Sequence, residues 1–240
     1  MSSSVVSTRG TTRERIRTIL LACGPLSALS YVGWRELAVA LRWEGYSRVS
    51  NAISELQLGG SPTKAFLDPW EGWVYSGLVA AFGVGVWLSA EGKWSLRVVA
   101  IAMIMPLVTA PLWALFGEAS LAAHLGLVLV GIGTWLVAMG FAAAALGKRF
   151  RNYTLVTLAV VVVFNGLALS YVPDVDAGRP TPFIGLDERV AFAAYFVWQS
   201  VLAVVLWHRG RTRARGDNAG TGIQHRLRGG LPCRRSRWSG

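Results

Sequence analysis

The hydrophobic positions of this 240-residue chain fall into six long runs, over residues 18–34, 70–90, 97–116, 121–146, 153–173 and 188–208. Each is close to the ~20 residues that carry a helix across a hydrocarbon core of about 30 Å. The stretch 157–164 (TLAVVVVF) is apolar at consecutive positions, which excludes the alternating strands of a membrane β-barrel. Six such runs with almost no charge in their middles would leave a soluble chain too little polar surface, whereas helices satisfy their own backbone in lipid. The pattern predicts an all-α polytopic membrane bundle of six transmembrane helices over residues 18–208. It is flanked by a basic N-terminus, 1–17, and a basic tail, 209–240, which has no periodic apolar face and reads as disordered.

A shorter periodicity lies in the longest connection, residues 35–69. Val49, Ala52, Ile53 and Leu56 recur at i, i+3, i+4 and i+7, with Ser47, Ser50, Asn51, Ser54 and Glu55 on the other side. Ser47 suits an N-cap, and Gly59, Gly60 and Pro62 suit a stop. This predicts a short amphipathic helix in the first external loop, its stripe on lipid or on the ends of the spans and its polar face toward water or a pocket.

Charge orients the spans. Of the 24 Lys and Arg, eighteen lie in the N-terminus, the second and fourth loops and the tail, with three acids; six lie in the other loops, with ten acids. Basic residues accumulate on the cytoplasmic side, so both termini are expected there, in a multi-pass protein of the cell membrane. The formal net charge of +11 is then mainly a topology signal, and no nucleic acid partner is expected. Leu20 to Cys23 has the look of a lipoprotein cleavage site, but only five residues separate Arg17 from Cys23, against ~7–15 in a cleaved signal. Cys23 is expected to be buried in the first span, Cys233 to lie in a reducing compartment, and no structural disulfide to form. The tail arginines supply orientation, or else bind anionic lipid headgroups.

The segment Gly45-Tyr-Ser-Arg-Val-Ser-Asn-Ala-Ile-Ser-Glu-Leu56 resembles the first-loop signature of the six-span prokaryotic membrane family catalogued as domain of unknown function 998. Gly185-Leu-Asp-Glu-Arg189, opening the last span, and the basic turn Arg149 to Arg151 agree with it. The resemblance covers roughly residues 18–208; it implies six spans in a prokaryotic cell membrane and carries no activity. The Ile-Ser-Glu core is also similar to the first loop of the eukaryotic DRAM-type membrane proteins, an analogy pointing to lipid or membrane homeostasis.

Candidate chemistry is sparse and gathers on one side. Glu55, His124 near the outer end of the fourth span, Glu118 before it, and Asp187, Glu188 and Arg189 opening the sixth all reach one level of the bilayer. Asp187 suits an N-cap, and Arg189 can pair with Glu188 or Glu55. Ser50, Ser54, Glu55, His124, Glu188 and Arg189 are the candidate ligand-binding residues. Asn165 and Gln199 are amides at membrane depth, expected to hydrogen-bond between helices. Gly77, Ala81, Gly85 and Ser89 repeat on the second span as a close-packing face that suits a homo-oligomer contact, and Pro106 and Pro111 should bend the third. With three histidines, two of them on the opposite side from His124, a metal hydrolase is not supported. Asp174 and Asp176 are too sparse for a calcium site, and no cofactor motif is present. Two readings remain. One is a non-enzymatic protein that accommodates a lipid or small amphiphile at the outer face; the other is a membrane enzyme acting on lipid or envelope precursors, with Glu55 and His124 as acid and base.

Overall fold

The computed structural model describes the backbone of residues 3–67 and 70–228 and the side chains of residues 12–37, 41–67 and 72–212. Six helices among these residues are long and apolar enough to cross a membrane. They are α1 (Ser3–Tyr31), α3 (Trp70–Leu88), α4 (Trp94–Phe116), α5 (Leu121–Ala145), α6 (Lys148–Ser170) and α8 (Ile184–Arg228), with two short helices between spans, α2 (Lys64–Leu67) and α7 (Val172–Asp176). The protein is therefore the all-helical, multi-pass membrane protein that the hydropathy pattern requires. Each span packs on its neighbour in sequence, and α8 returns to close the ring against α1. Six crossings put the first loop, the α4–α5 turn and the α6–α8 connection at one end, called here the capped end. The Lys/Arg-rich segments lie at the other, the basic end.

Apolar side chains gain little by leaving lipid for protein, so close packing and hydrogen bonds hold such a bundle. Gly85 shows the first. A Cβ there would meet the Leu21 backbone nitrogen at 2.9 Å, so α1 and α3 approach at this glycine. The small-residue stripe of the second span is thus used in part within the chain, while Gly77 at its far end has open space. Hydrogen bonding is shown by Gln199, whose Nε2 donates to Gly24 O (2.9 Å) and Ser27 Oγ (2.8 Å) across the α8–α1 seam. Asn165 differs from expectation: its amide donates to Val161 O of its own helix (2.8 Å). Trp198 Nε1 joins α8 to α6 through Thr154 Oγ1 (3.0 Å). An aromatic column on α8 fills the middle, with Tyr195 stacked on Trp135 at 4.2 Å and Phe192 edge-on to it at 4.8 Å.

Burial is uneven along the α4–α5 hairpin. Its buried residues are Leu96 to Met103 and Trp135 to Ala143, all in the halves toward the basic end. From Ile104 to Phe116 and from Leu121 to Thr134 no residue is buried.

The helices at both ends of the chain outrun the sequence pattern. Helix α1 begins at Ser3, and α8 continues past residue 208 to Arg228. Propagating an existing helix carries no nucleation cost, which here outweighs the low helix propensity of Gly210, Gly216, Gly220 and Gly222. Cys233 and the last arginines, Arg234, Arg235 and Arg237, lie outside the described residues. Cys23 is half-buried and free, its thiol toward Ile19 O at 3.5 Å.

Candidate functional site

At the capped end α1 does not stop where its apolar run does. It widens into a π-helix, Val32–Val39, that carries Arg35 and Glu36 inward. Arg35 is buried, donates to Gln57 Oε1 (2.8 Å), and lies over the Tyr31 ring at 5.0 Å.

The first loop forms two short pieces in place of one amphipathic α-helix. Ser47 opens a single turn, its hydroxyl accepting from Val49 N and Ser50 N (both 3.3 Å), while Asn51 N donates to Ser47 O (2.8 Å). Ala52 then becomes extended (φ −61°, ψ 151°), and a 3₁₀ helix follows, Ile53–Gln57. Glu55 reaches back from its third position, taking Ala52 N (2.6 Å) on one oxygen and the Asn51 amide (2.7 Å) on the other, which satisfies donors that a helix start leaves open. Ala52, Ile53 and Leu56 are buried as the periodicity requires, but Val49 is 44% exposed.

This break turns the loop's carbonyls toward α8. Val49 O accepts from Leu186 N (3.0 Å). Arg189 Nη1 donates to Arg48 O (3.0 Å), Asn51 O (3.1 Å) and Gly185 O (2.9 Å). Its Nη2 reaches the Tyr46 hydroxyl (2.6 Å), and its Nε the Glu36 carboxylate (2.9 Å). From the other side, Glu188 accepts from Ile53 N (2.6 Å), at the start of the 3₁₀ helix. Gly185 permits the approach, since a Cβ there would lie 2.2 Å from Asn51 O. Burial pushes the Tyr46 hydroxyl pKa up, partly offset by Arg189, so it stays protonated.

Three of the six candidate residues therefore meet at one junction, Glu55 from the loop and Glu188 and Arg189 from α8; Ser50 joins through its backbone, its carbonyl accepting from Thr181 Oγ1 (3.4 Å), and Ser54 lies beside Glu55 in the 3₁₀ helix. Two pairings differ from expectation. Arg189 pairs with Glu36, a residue that sequence reasoning passed over, because 153 positions separate the two. Asp187 is not the N-cap, because α8 begins at Ile184; it lies in the first turn, where a carboxylate complements the helix dipole. Tyr46, Arg48 and Asn51 also belong to the junction. Tyr46 and Arg48 are signalled in the sequence by membership of the loop signature, Asn51 also by its place on the polar side of the periodicity. His124 has its own setting in the α4–α5 hairpin, where Nδ1 meets Gly117 O at 3.0 Å and the ring stands edge-on to Trp113 at 5.3 Å. That hairpin is tied to the first loop by Lys64 and Glu118 (2.6 Å).

Three arginines (35, 48, 189) and three glutamates (36, 55, 188) meet at this junction. Glu36 Oε1 is nonetheless buried without a hydrogen-bond partner. A buried carboxylate oxygen left so calls for a donor from water or ligand. The described residues contain no cluster able to hold a metal ion. Both oxygens of Glu55 are engaged within its own loop, and His124 within its own hairpin, so no observation favours an acid/base pair.

A family model described as protein of unknown function (DUF998) matches residues 21–205, a span that includes both segments joined at this junction. No curated protein and no solved structure matches the chain.

Proposed function

Because the chain belongs to the DUF998 family, whose function is unknown, we propose a role from the site itself: the protein accommodates a lipid or small amphiphile at the capped end. The supporting observation is that no residue is buried from Ile104 to Phe116 or from Leu121 to Thr134, the capped halves of α4 and α5. On α5, His124, Val128 and Gly131 continue the face that carries Trp135, at spacings of eleven, seven and four. All three are only half-buried. Trp135 meets Phe192 of α8, and Glu188 lies one turn above Phe192 on the same side. In this reading an apolar tail would lie above the Trp135–Phe192 contact. Its polar head would find Glu188, the Ser50 and Ser54 hydroxyls and His124. In this proposal the basic end faces the cytoplasm, as the distribution of Lys and Arg favours.

The test is native mass spectrometry of protein purified in a mild, lipid-preserving detergent, comparing the intact chain with Gly131→Trp. A Cβ at Gly131 meets nothing within 4 Å, so the indole should fill the gap without displacing backbone. Loss of a co-purified amphiphile with unchanged melting is the expected result; full retention would refute the gap. Orientation is tested separately by cysteine labelling in intact cells. Position 64 should react and position 93 should not.

A further inference from the structure

The basic end carries a second feature that the capped-end proposal does not use. Between the start of α6 and the exit of α8 runs an open groove of about 520 Å³, within the ~300–1,000 Å³ of ligand sites. Its wall is apolar, including Tyr153, Val201 and Val205, and its rim carries Lys148, Arg149 and Arg209. Arg209 bends toward the other two, with Nη2 4.0 Å from where a Gly147 Cβ would sit. None of these three cations has an ion-pair partner among the described residues. The start of α6 adds to the positive field. Its N-cap, Gly147, offers no side-chain acceptor and its first turn holds no acid, so cations crowd the positive end of the helix dipole.

The two halves of this surface call for one kind of occupant. Free phosphate would satisfy the rim and leave the wall open, while a neutral lipid would satisfy the wall and leave three cations uncompensated. We infer that the α6–α8 groove binds an anionic phospholipid of the leaflet at the basic end, headgroup phosphate on Lys148, Arg149 and Arg209 and acyl chain along Tyr153, Val201 and Val205.

Cations near an anionic surface contribute about 1 kcal/mol each, or roughly fivefold in affinity. The test titrates the full chain in mild detergent with phosphatidylglycerol and, separately, with phosphatidylcholine, following bound lipid by native mass spectrometry. The wild type should prefer phosphatidylglycerol, and the triple variant K148Q/R149Q/R209Q should lose about a hundredfold in affinity for it. A matched tail variant, R226Q/R228Q/R234Q, should lose less than about threefold. Val205→Trp, which fills the groove and keeps every charge, should also weaken binding, and excess soluble glycerol phosphate should not displace the lipid. Equal losses in the two triple variants, no effect of Val205→Trp, or no preference of the wild type between the lipids would each overturn the inference. Retention of the capped-end amphiphile is a separate signal in the same spectra, so either proposal can fail alone.

Discussion

Arg189 and Arg209 stand on the same helix and have opposite surroundings. Every nitrogen of Arg189 is committed: to a carboxylate, a phenol and three carbonyls contributed by the first loop and by α8 itself. Arg209 is exposed and lines a groove beside two further cations, with no acid paired to any of them among the described residues. A partly buried guanidinium has to be matched within the protein, because removing a charge from water is costly unless hydrogen bonds replace the solvent. One at the basic rim can leave that to lipid and water. The capped end is thus a junction held by its own polar groups, while the basic end presents its charge outward. Arg17 is the exception there. It is buried, with Nη1 donating to Leu206 O (3.0 Å) and Ser89 Oγ (3.3 Å) and its other nitrogens to Glu14, and so staples α1, α3 and α8.

The contrast is broken most strongly at Arg189. Arg189→Ala leaves the Glu36 carboxylate only the longer contact to Arg48 Nε (3.8 Å) and takes the donor from three carbonyls; it should destabilise the protein by ~3 kcal/mol, read as a large drop in melting temperature in detergent. Lysine should not rescue it, since one ammonium cannot span five acceptors. Next comes Gly185→Ala. Its Cβ would overlap the Asn51 carbonyl, and forcing the loop off α8 should cost about 1–3 kcal/mol. The first loop should then become sensitive to added protease while the spans stay protected.

Tyr46→Phe removes a single hydroxyl between Arg189 and Ala52 O, worth ~1 kcal/mol. It also sharpens a pH dependence. Because burial raises the Tyr46 pKa, its contribution is fully present below the unfolded value of ~10 and declines as pH rises above it. Melting profiles to pH 11 should show that decline in the wild type and less of it in the variant. The smallest effect belongs to the other end, where Arg209→Gln should change stability by no more than about 0.5 kcal/mol, since it breaks no ion pair among the described residues.

The spans were legible because a membrane core demands ~20 consecutive apolar residues and the chain provides them six times. The first loop was half legible. Side-chain periodicity correctly marked Ala52, Ile53 and Leu56 as buried, but it could not show that the backbone extends at Ala52 to aim carbonyls at α8. Val49, exposed yet donating its carbonyl to Leu186, belongs to that missed half. Asn51 changes meaning for the same reason. It bonds Glu55 through its amide, so Asn51→Asp is no silent substitution on a wet face. Glu188 and Arg189 stand out in the sequence as charges at the start of an apolar run; Glu36, two residues past the end of the first run, carries the same signal among the charges of the longest loop.

The central claim is that the Gly45–Leu56 segment and the opening of α8 are clasped to each other, backbone to backbone. Oxidative cross-linking tests it most directly, in the full chain with Cys23 and Cys233 changed to serine and Val49→Cys combined with Leu186→Cys. With Val49 O and Leu186 N 3.0 Å apart, the two cysteines should form a disulfide readily in membranes, before any solubilisation, and the mobility shift should reverse on reduction. Absence of the cross-link, in protein that inserts at normal levels and whose thiols both react with maleimide, would contradict the account.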